Sequence, residues 1–155
     1  MEMKRYIGVI GAGDCSDTVE ALARDVGFEI GRRGWTLVCG GLGGVMTAAA
    51  RGCVEAGGTT VGILPGMERE TANPYIQVAL PTGLGAGRNL LVVRASDLLI
   101  AVAGGYGTLS EIALALKGGK PVIGLQTWEH IPGIQHVADP QEAVRAAASL
   151  LGEKE

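Results

Sequence analysis

Between Ala103 and Glu111 the chain reads Ala-Gly-Gly-Tyr-Gly-Thr-Leu-Ser-Glu, a glycine-rich turn closed by a carboxylate. An apolar, strand-like run, Asp97 to Val102, leads into this turn, and a helix-like run, Leu109 to Lys117, follows it. A glycine turn at that junction aims several backbone N–H groups outward at the positive end of a helix, which is a ready site for phosphate. Glu111 stands one helical turn inside, so the combination points to chemistry on a phosphorylated substrate. Thr108-Leu109-Ser110-Glu111 is also the pattern of a capping box, in which Glu111 would only cap its own helix.

The elements that must hold this turn alternate between strand and helix. Strands are expected over Tyr6–Ile10, Trp35–Cys39, Thr59–Leu64, Ile76–Leu80, Asp97–Val102 and Pro121–Leu125, with an edge strand over Ile134–Ala138. Helices are expected over Ser16–Arg33, Val45–Ala56, Gly85–Ala95 and Leu109–Lys117, and Leu90–Val93 leaves a strand open as the alternative for the third. A last helix starts at Asp139-Pro140-Gln141-Glu142, where Asp caps, Pro takes the first position and Glu lies three on. Met67 to Pro74 is the one long polar interval and a candidate lid. Apolar strands without alternation, separated by helices, imply a parallel sheet covered on both faces. Right-handed crossovers then give a single-domain α/β fold, a three-layer, doubly wound, Rossmann-like sandwich.

Ligands in such sheets bind at the carboxyl ends of the strands, and the glycines gather there. Gly11-Ala12-Gly13-Asp14 follows the first strand, Gly40 to Gly44 with Val45-Met46 the second, and Pro65-Gly66 the third. An ordinary dinucleotide enzyme is a poor fit. The first loop ends in Ser16 where GxGxxG needs glycine, and Cys39-Gly40-Gly41 holds no carboxylate for a ribose. The P-loop pattern is missing as well, because Lys120 is followed by proline.

Composition narrows the field further. The 155 residues carry a net charge of −3 without a basic run, which argues against a nucleic-acid partner. No apolar run approaches the ~20 residues of a membrane span, and the start, Met1 to Arg5, has no signal-peptide core. The expected location is cytoplasmic. Cys15, Cys39 and Cys53 are odd in number and lack CxxC spacing, so they read as packing thiols, with no metal and no cofactor implied. His130 and His136, six apart, read as surface or structural residues.

Gly40-Gly41-Leu42-Gly43-Gly44-Val45-Met46, Gly62-Ile63-Leu64-Pro65 and above all Gly104 to Glu111 resemble the Lonely Guy family. Its members are cytokinin-activating phosphoribohydrolases often mislabelled as lysine decarboxylases. The resemblance covers most of the chain, from the first strand to Leu125. The family pattern is PGGxGTxxE with an upstream arginine, and Arg88 stands in that place, nine residues before Asp97. Ala103 replaces the motif's proline and Asn89 the lysine that follows the arginine, which resembles a bacterial side branch of the superfamily. That superfamily also holds nucleotide nucleosidases, sensors of nucleotide-derived ligands and a molybdenum-cofactor carrier.

The resemblance implies cleavage of the N-glycosidic bond of a nucleoside 5′-monophosphate, giving free base and ribose 5-phosphate. It makes Arg88 and Glu111 the catalytic pair, with Arg88 clamping phosphate or orienting Glu111; near a helix N-terminus and near Arg88, Glu111 is expected to stay ionised. It places Gly104, Gly105, Tyr106, Gly107 and Thr108 at the phosphate, and Gly13, Asp14, Gly41, Gly43, Gly44, Met46 and Pro65 among the ligand contacts. Asp14 and Ser16 have a plain alternative as caps of the first helix, and Asn89 reads as positional. The same loop would also serve a non-catalytic carrier of a nucleotide-like phosphorylated ligand, including a pterin cofactor. Family members are at least dimers, so the resemblance implies a homodimer or a dimer of dimers. The apolar run Leu90–Val93 is the segment that asks for such cover.

Overall fold

The structure is a computed structural model that describes residues 3–153, so Met1 and Glu2 of the N-terminal approach lie outside the described residues. Seven strands form one parallel sheet: β1 (Tyr6–Gly11), β2 (Thr36–Cys39), β3 (Thr59–Leu64), β4 (Val78–Pro81), β5 (Leu98–Val102), β6 (Val122–Leu125) and β7 (Ile134–His136). Their spatial order is β4-β3-β2-β1-β5-β6-β7. The helices are α1 (Asp17–Arg32), α2 (Val45–Glu55), α3 (Arg88–Ala95), α4 (Tyr106–Lys117) and α5 (Pro140–Leu150).

The order explains where a site must lie. From β1 the chain winds outward to β4, then returns through α3 to β5, which pairs with β1 on its other side. Loops after β1 and β5 therefore diverge to opposite faces and leave a crevice between them, the switch point of a doubly wound sheet. One face carries α1, α2 and α5 over Val9, Leu37 and Ile100. The other carries α3 and α4 over Ile10, Val38 and Leu99. Central strands β2, β5 and β6 are buried along their whole length, which is why they read as continuous apolar runs.

Local signals hold at most boundaries. The Ser16 hydroxyl accepts from the Val19 N–H at 3.3 Å and starts α1. Asp139 accepts from Glu142 N–H at 2.8 Å with Pro140 at the first position of α5. α3 is a helix, not a strand. Val92 and Val93 face the sheet, while Leu90 and Leu91 stay 38% and 37% exposed, so its apolar run is buried on one side only.

Gly85–Gly87 forms a separate 3₁₀ turn, so α3 starts at Arg88 rather than Gly85, and β7 ends at His136 rather than Ala138; two further starts also differ from expectation. The fourth strand starts at Val78 rather than Ile76, because Thr60 diverts the chain before it. Its hydroxyl donates to Tyr75 O at 2.6 Å and accepts from Gln77 N–H at 3.0 Å, in place of ladder bonds. α4 starts at Tyr106, three residues before Leu109, with Gly105 as its N-cap and Gly105 O accepting from Leu109 N–H at 3.0 Å. That shift removes the capping-box reading. Thr108 is inside the helix and Glu111 lies past its first turn, so neither caps it.

Candidate functional site

Three loops at the carboxyl edge border a cavity of about 400 Å³ at the switch point. Gly11, Ala12 and Gly13 bound it from β1, Gly40 and Leu42 from β2, and Gly105, Gly107 and Thr108 from the start of α4. Met46 of α2, Arg88 and Asn89 of α3, and Glu111 of α4 complete the wall. Larger open grooves lie elsewhere, such as one of about 610 Å³ along α1. That groove is bordered by Arg24 and Glu55, which pair with each other, and none of the strand-end loops reaches it.

Backbone conformation shapes the phosphate loop. Ala103 and Gly104 both take positive φ, +50° and +108°. At Gly104 a Cβ would stand 2.5 Å from Thr108 Cβ, so only glycine lets the loop fold over the buried Thr108. For Ala103 the left-handed conformation costs about 1 kcal/mol. The neighbouring strand end holds it there. Ala103 N–H donates to Leu125 O at 3.0 Å, the Thr127 hydroxyl donates to Ala103 O at 2.6 Å, and Trp128 Nε1–H donates to Gly105 O at 3.2 Å.

The catalytic candidates come together across this cavity without touching. Arg88, half-buried, is held by the ends of two strands. Its Nη1 donates to Gly40 O and, at 2.8 Å, to Ile63 O, while Nε–H donates to Asn89 Oδ1 at 2.8 Å. Gly40 has to be glycine for this, since a Cβ would lie 2.6 Å from Nη1. Glu111 is 8% exposed, and its carboxyl makes no hydrogen bond among the described residues. Burial pushes its pKa up to about 7, against the opposing pull of the Arg88 charge. The expectation of a plainly ionised Glu111 is thereby corrected: at the sixth residue of α4 it lies beyond the reach of the helix end, and desolvation outweighs a guanidinium it does not contact. Burial also lowers the pKa of Arg88, with Glu111 acting the other way.

Several expected ligand contacts build the loops instead of lining the cavity. Gly41, at φ +77°, packs on Leu64 Cδ2 and offers its carbonyl to Asn73 N–H at 2.9 Å. That bond ties down the end of the Met67–Pro74 interval. Gly43 and Gly44 let the second loop press against the first, and Val45 N–H donates to Ala12 O at 3.0 Å across the junction. Asp14, Gly104 and Pro65 are not among the residues that line the cavity. Tyr106 is 84% exposed and stands by Trp128, ring centroids 6.0 Å apart. Gly13, Met46, Gly105, Gly107 and Thr108 do line it, with Arg88 and Glu111.

Gly11, Ala12, Gly40 and Leu42 line the cavity although reasoning from sequence did not single them out. Their signal was present: each lies in a strand-end glycine cluster, but which residue of a cluster faces inward depends on the turn. The cysteines behave as packing residues. Burial raises the thiol of Cys39 to about 12 and that of Cys53 to about 11, so both remain protonated and inert near neutrality. His130 and His136 are exposed. Among the described residues no group of His, Cys, Asp and Glu is arranged to hold a metal, and no helix is long and apolar enough to cross a membrane.

Comparison with known proteins bears out the fold and gives the family. The chain is 45% identical over 143 residues to a protein of Archaeoglobus fulgidus, covering 92% of this chain and 94% of that one. It is 36% identical over 126 residues to the cytokinin riboside 5′-monophosphate phosphoribohydrolase of Mycobacterium tuberculosis, covering 74% of this chain and 66% of that protein's length. Among solved structures, the molybdenum cofactor binding protein of Rippkaea orientalis superposes with a TM-score of 0.92 at 35% identity, covering 97% of this chain and 99% of that one. The SLOG cluster4 family model matches residues 4–150, and the chain belongs to that family.

Proposed function

We propose that the cavity binds a nucleoside 5′-monophosphate and that the protein hydrolyses its N-glycosidic bond to free base and ribose 5-phosphate. The observation that carries this reading is Glu111: a buried residue on the cavity wall, its carboxyl without a hydrogen-bond partner among the described residues, poised to titrate near pH 7. A group of that pKa is well matched to general base work at neutral pH. In the reaction the C1′–N bond breaks and its electron pair leaves with the base, which gains a proton. Water adds its oxygen to C1′ and gives up a proton. The ribose passes through an oxocarbenium-like state, which an ionised carboxylate beside the ring stabilises. The backbone N–H groups of Gly105 and Gly107 and the Thr108 hydroxyl hold the 5′-phosphate, and the two N–H groups of Arg88 Nη2, which have no partner among the described residues, meet its charge.

A second reading has its own support. The likeness to the molybdenum cofactor binding protein runs over nearly the whole of both chains, whereas the chain spans 66% of the phosphoribohydrolase. In that reading the same loop holds a phosphorylated pterin, and Arg88 and Glu111 serve binding alone. Incubation with a panel of nucleoside 5′-monophosphates, with chromatography for free base, separates the two. Base and ribose 5-phosphate in equal amounts support the hydrolase. Tight binding without release across the panel overturns it in favour of the carrier.

Both readings are expected of an oligomer. Leu84, just before α3, and Leu90 and Leu91 on it are exposed in the single chain, close in sequence to Arg88. A second copy covers this apolar surface in the homodimer or dimer of dimers we propose. Light scattering at micromolar concentration is expected to give two or four times the 15.9 kDa of one chain. A monomeric mass would remove the dimer from the account.

A further inference from the structure

Asn89 joins the two halves of the cavity, and nothing in the proposed reaction requires it to touch the reacting atoms. Its Oδ1 accepts from Arg88 Nε–H at 2.8 Å, and its Nδ2 donates to Ser110 Oγ at 3.2 Å. Ser110 in turn donates its hydroxyl proton to Gly107 O at 2.6 Å, within the first turn of α4. One side-chain amide thus connects the arginine of α3 to the glycine loop of α4. The guanidinium has five N–H groups. Gly40 O, Ile63 O and Asn89 Oδ1 account for Nη1 and Nε, so the orientation of Nη2 is set before any ligand arrives. Locking donors in advance removes an ordering cost from binding.

We propose that Asn89 is a positioning residue that, through Ser110, fixes Arg88 and the glycine loop as one preorganised anion clamp. The proposal rests on the cavity being the phosphate site. Asparagine suits the task because it accepts and donates at once while remaining neutral. Aspartate in its place would pair with the guanidinium and spend the charge the ligand needs. It would also take the Ser110 proton away from Gly107 O, since a carboxylate only accepts. Leucine would keep the volume and lose both bonds.

The test uses the intact chain and ribose 5-phosphate as probe. In ¹H–¹⁵N spectra of the free protein, the Arg88 Nε–H is expected to exchange slowly with water, and at least tenfold faster in Asn89→Leu. Ribose 5-phosphate is expected to bind Asn89→Leu about tenfold more weakly than the parent, the size of one lost hydrogen bond to a charged group. Ser110→Ala is expected to weaken binding less. The Asn89→Leu/Ser110→Ala double variant should bind within twofold of Asn89→Leu alone, because both act through one connection. Unchanged Nε–H exchange, or losses that multiply in the double variant, would overturn the clamp. If ribose 5-phosphate does not bind the parent at millimolar concentration, the phosphate-site reading fails instead, and Nε–H exchange still decides whether Asn89 holds Arg88.

Discussion

Glu111→Gln is expected to lose base release by a factor of about 10²–10⁴ while binding ribose 5-phosphate within a few-fold of the parent. Glutamine keeps the shape of the side chain and its place against the cavity, but it cannot take a proton from water or carry the charge opposed to an oxocarbenium. The phosphate loop lies a helical turn away and is built from backbone that this change does not disturb. A variant that retains turnover would sink the catalytic assignment. One that loses binding and turnover together would place Glu111 in the binding machinery, as the carrier reading requires.

The same substitution has a stability consequence with a definite sign. Glu111 releases its proton near pH 7 in the folded chain, but near 4.3 in an unfolded one. Between those values the folded state binds the extra proton, so its stability falls as the pH rises from about 4.3 to 7. The accumulated loss is on the order of 3 kcal/mol. Glutamine is neutral throughout and escapes it. In denaturant titrations the variant is expected to gain on the parent from pH 5 to about pH 7 and to level off above it, and parallel profiles would show that Glu111 is not a desolvated acid. The parent gives up stability at neutral pH in exchange for a desolvated carboxylate on the cavity wall.

The second large effect lies far from the site. Gly52→Ala is expected to destabilise the fold by more than about 3 kcal/mol, a large part of the total for a domain of this size. Helices α1 and α2 approach so closely here that a Cβ on Gly52 would run into the Arg24 carbonyl and lie 2.8 Å from Phe28 N. Gly27 makes the reciprocal contact, with a Cβ there 2.7 Å from the Ala49 carbonyl carbon. Both obstacles are backbone, so no rotamer change relieves them. Helix propensity pushes the other way, favouring alanine by about 1 kcal/mol. The steric term is larger, and guanidinium titration is expected to show a lower midpoint or a chain that no longer accumulates folded. A soluble variant of equal or higher midpoint would mean that α1 and α2 can slide apart at little cost.

The alternation of apolar runs with glycine-punctuated helical segments was enough to read the layered sandwich, the parallel sheet and the edge that carries the loops. Those features follow from local periodicity and from the few connections a parallel sheet allows. Pairing the motif arginine with the motif glutamate was legible too, through a resemblance that spans most of the chain. The start of α4 was not. Glycines at 104, 105 and 107 look like loop to any scale of propensity, and only the packing of Thr108 under Gly104 draws Tyr106 and Gly107 into the helix.

By itself, then, the sequence determined the fold class through its periodicity, and its resemblance to a known family pointed to Arg88 and Glu111, both of which line the cavity at the switch point. Tertiary structure alone decided the raised pKa of Glu111, the anchoring of Arg88 and which glycines line the cavity rather than build its walls. Those depend on desolvation and on carbonyls brought in from other strands, Gly40 of the second loop and Ile63 of β3, lying 48 and 25 residues from Arg88. Such distances through the sequence carry no local signal.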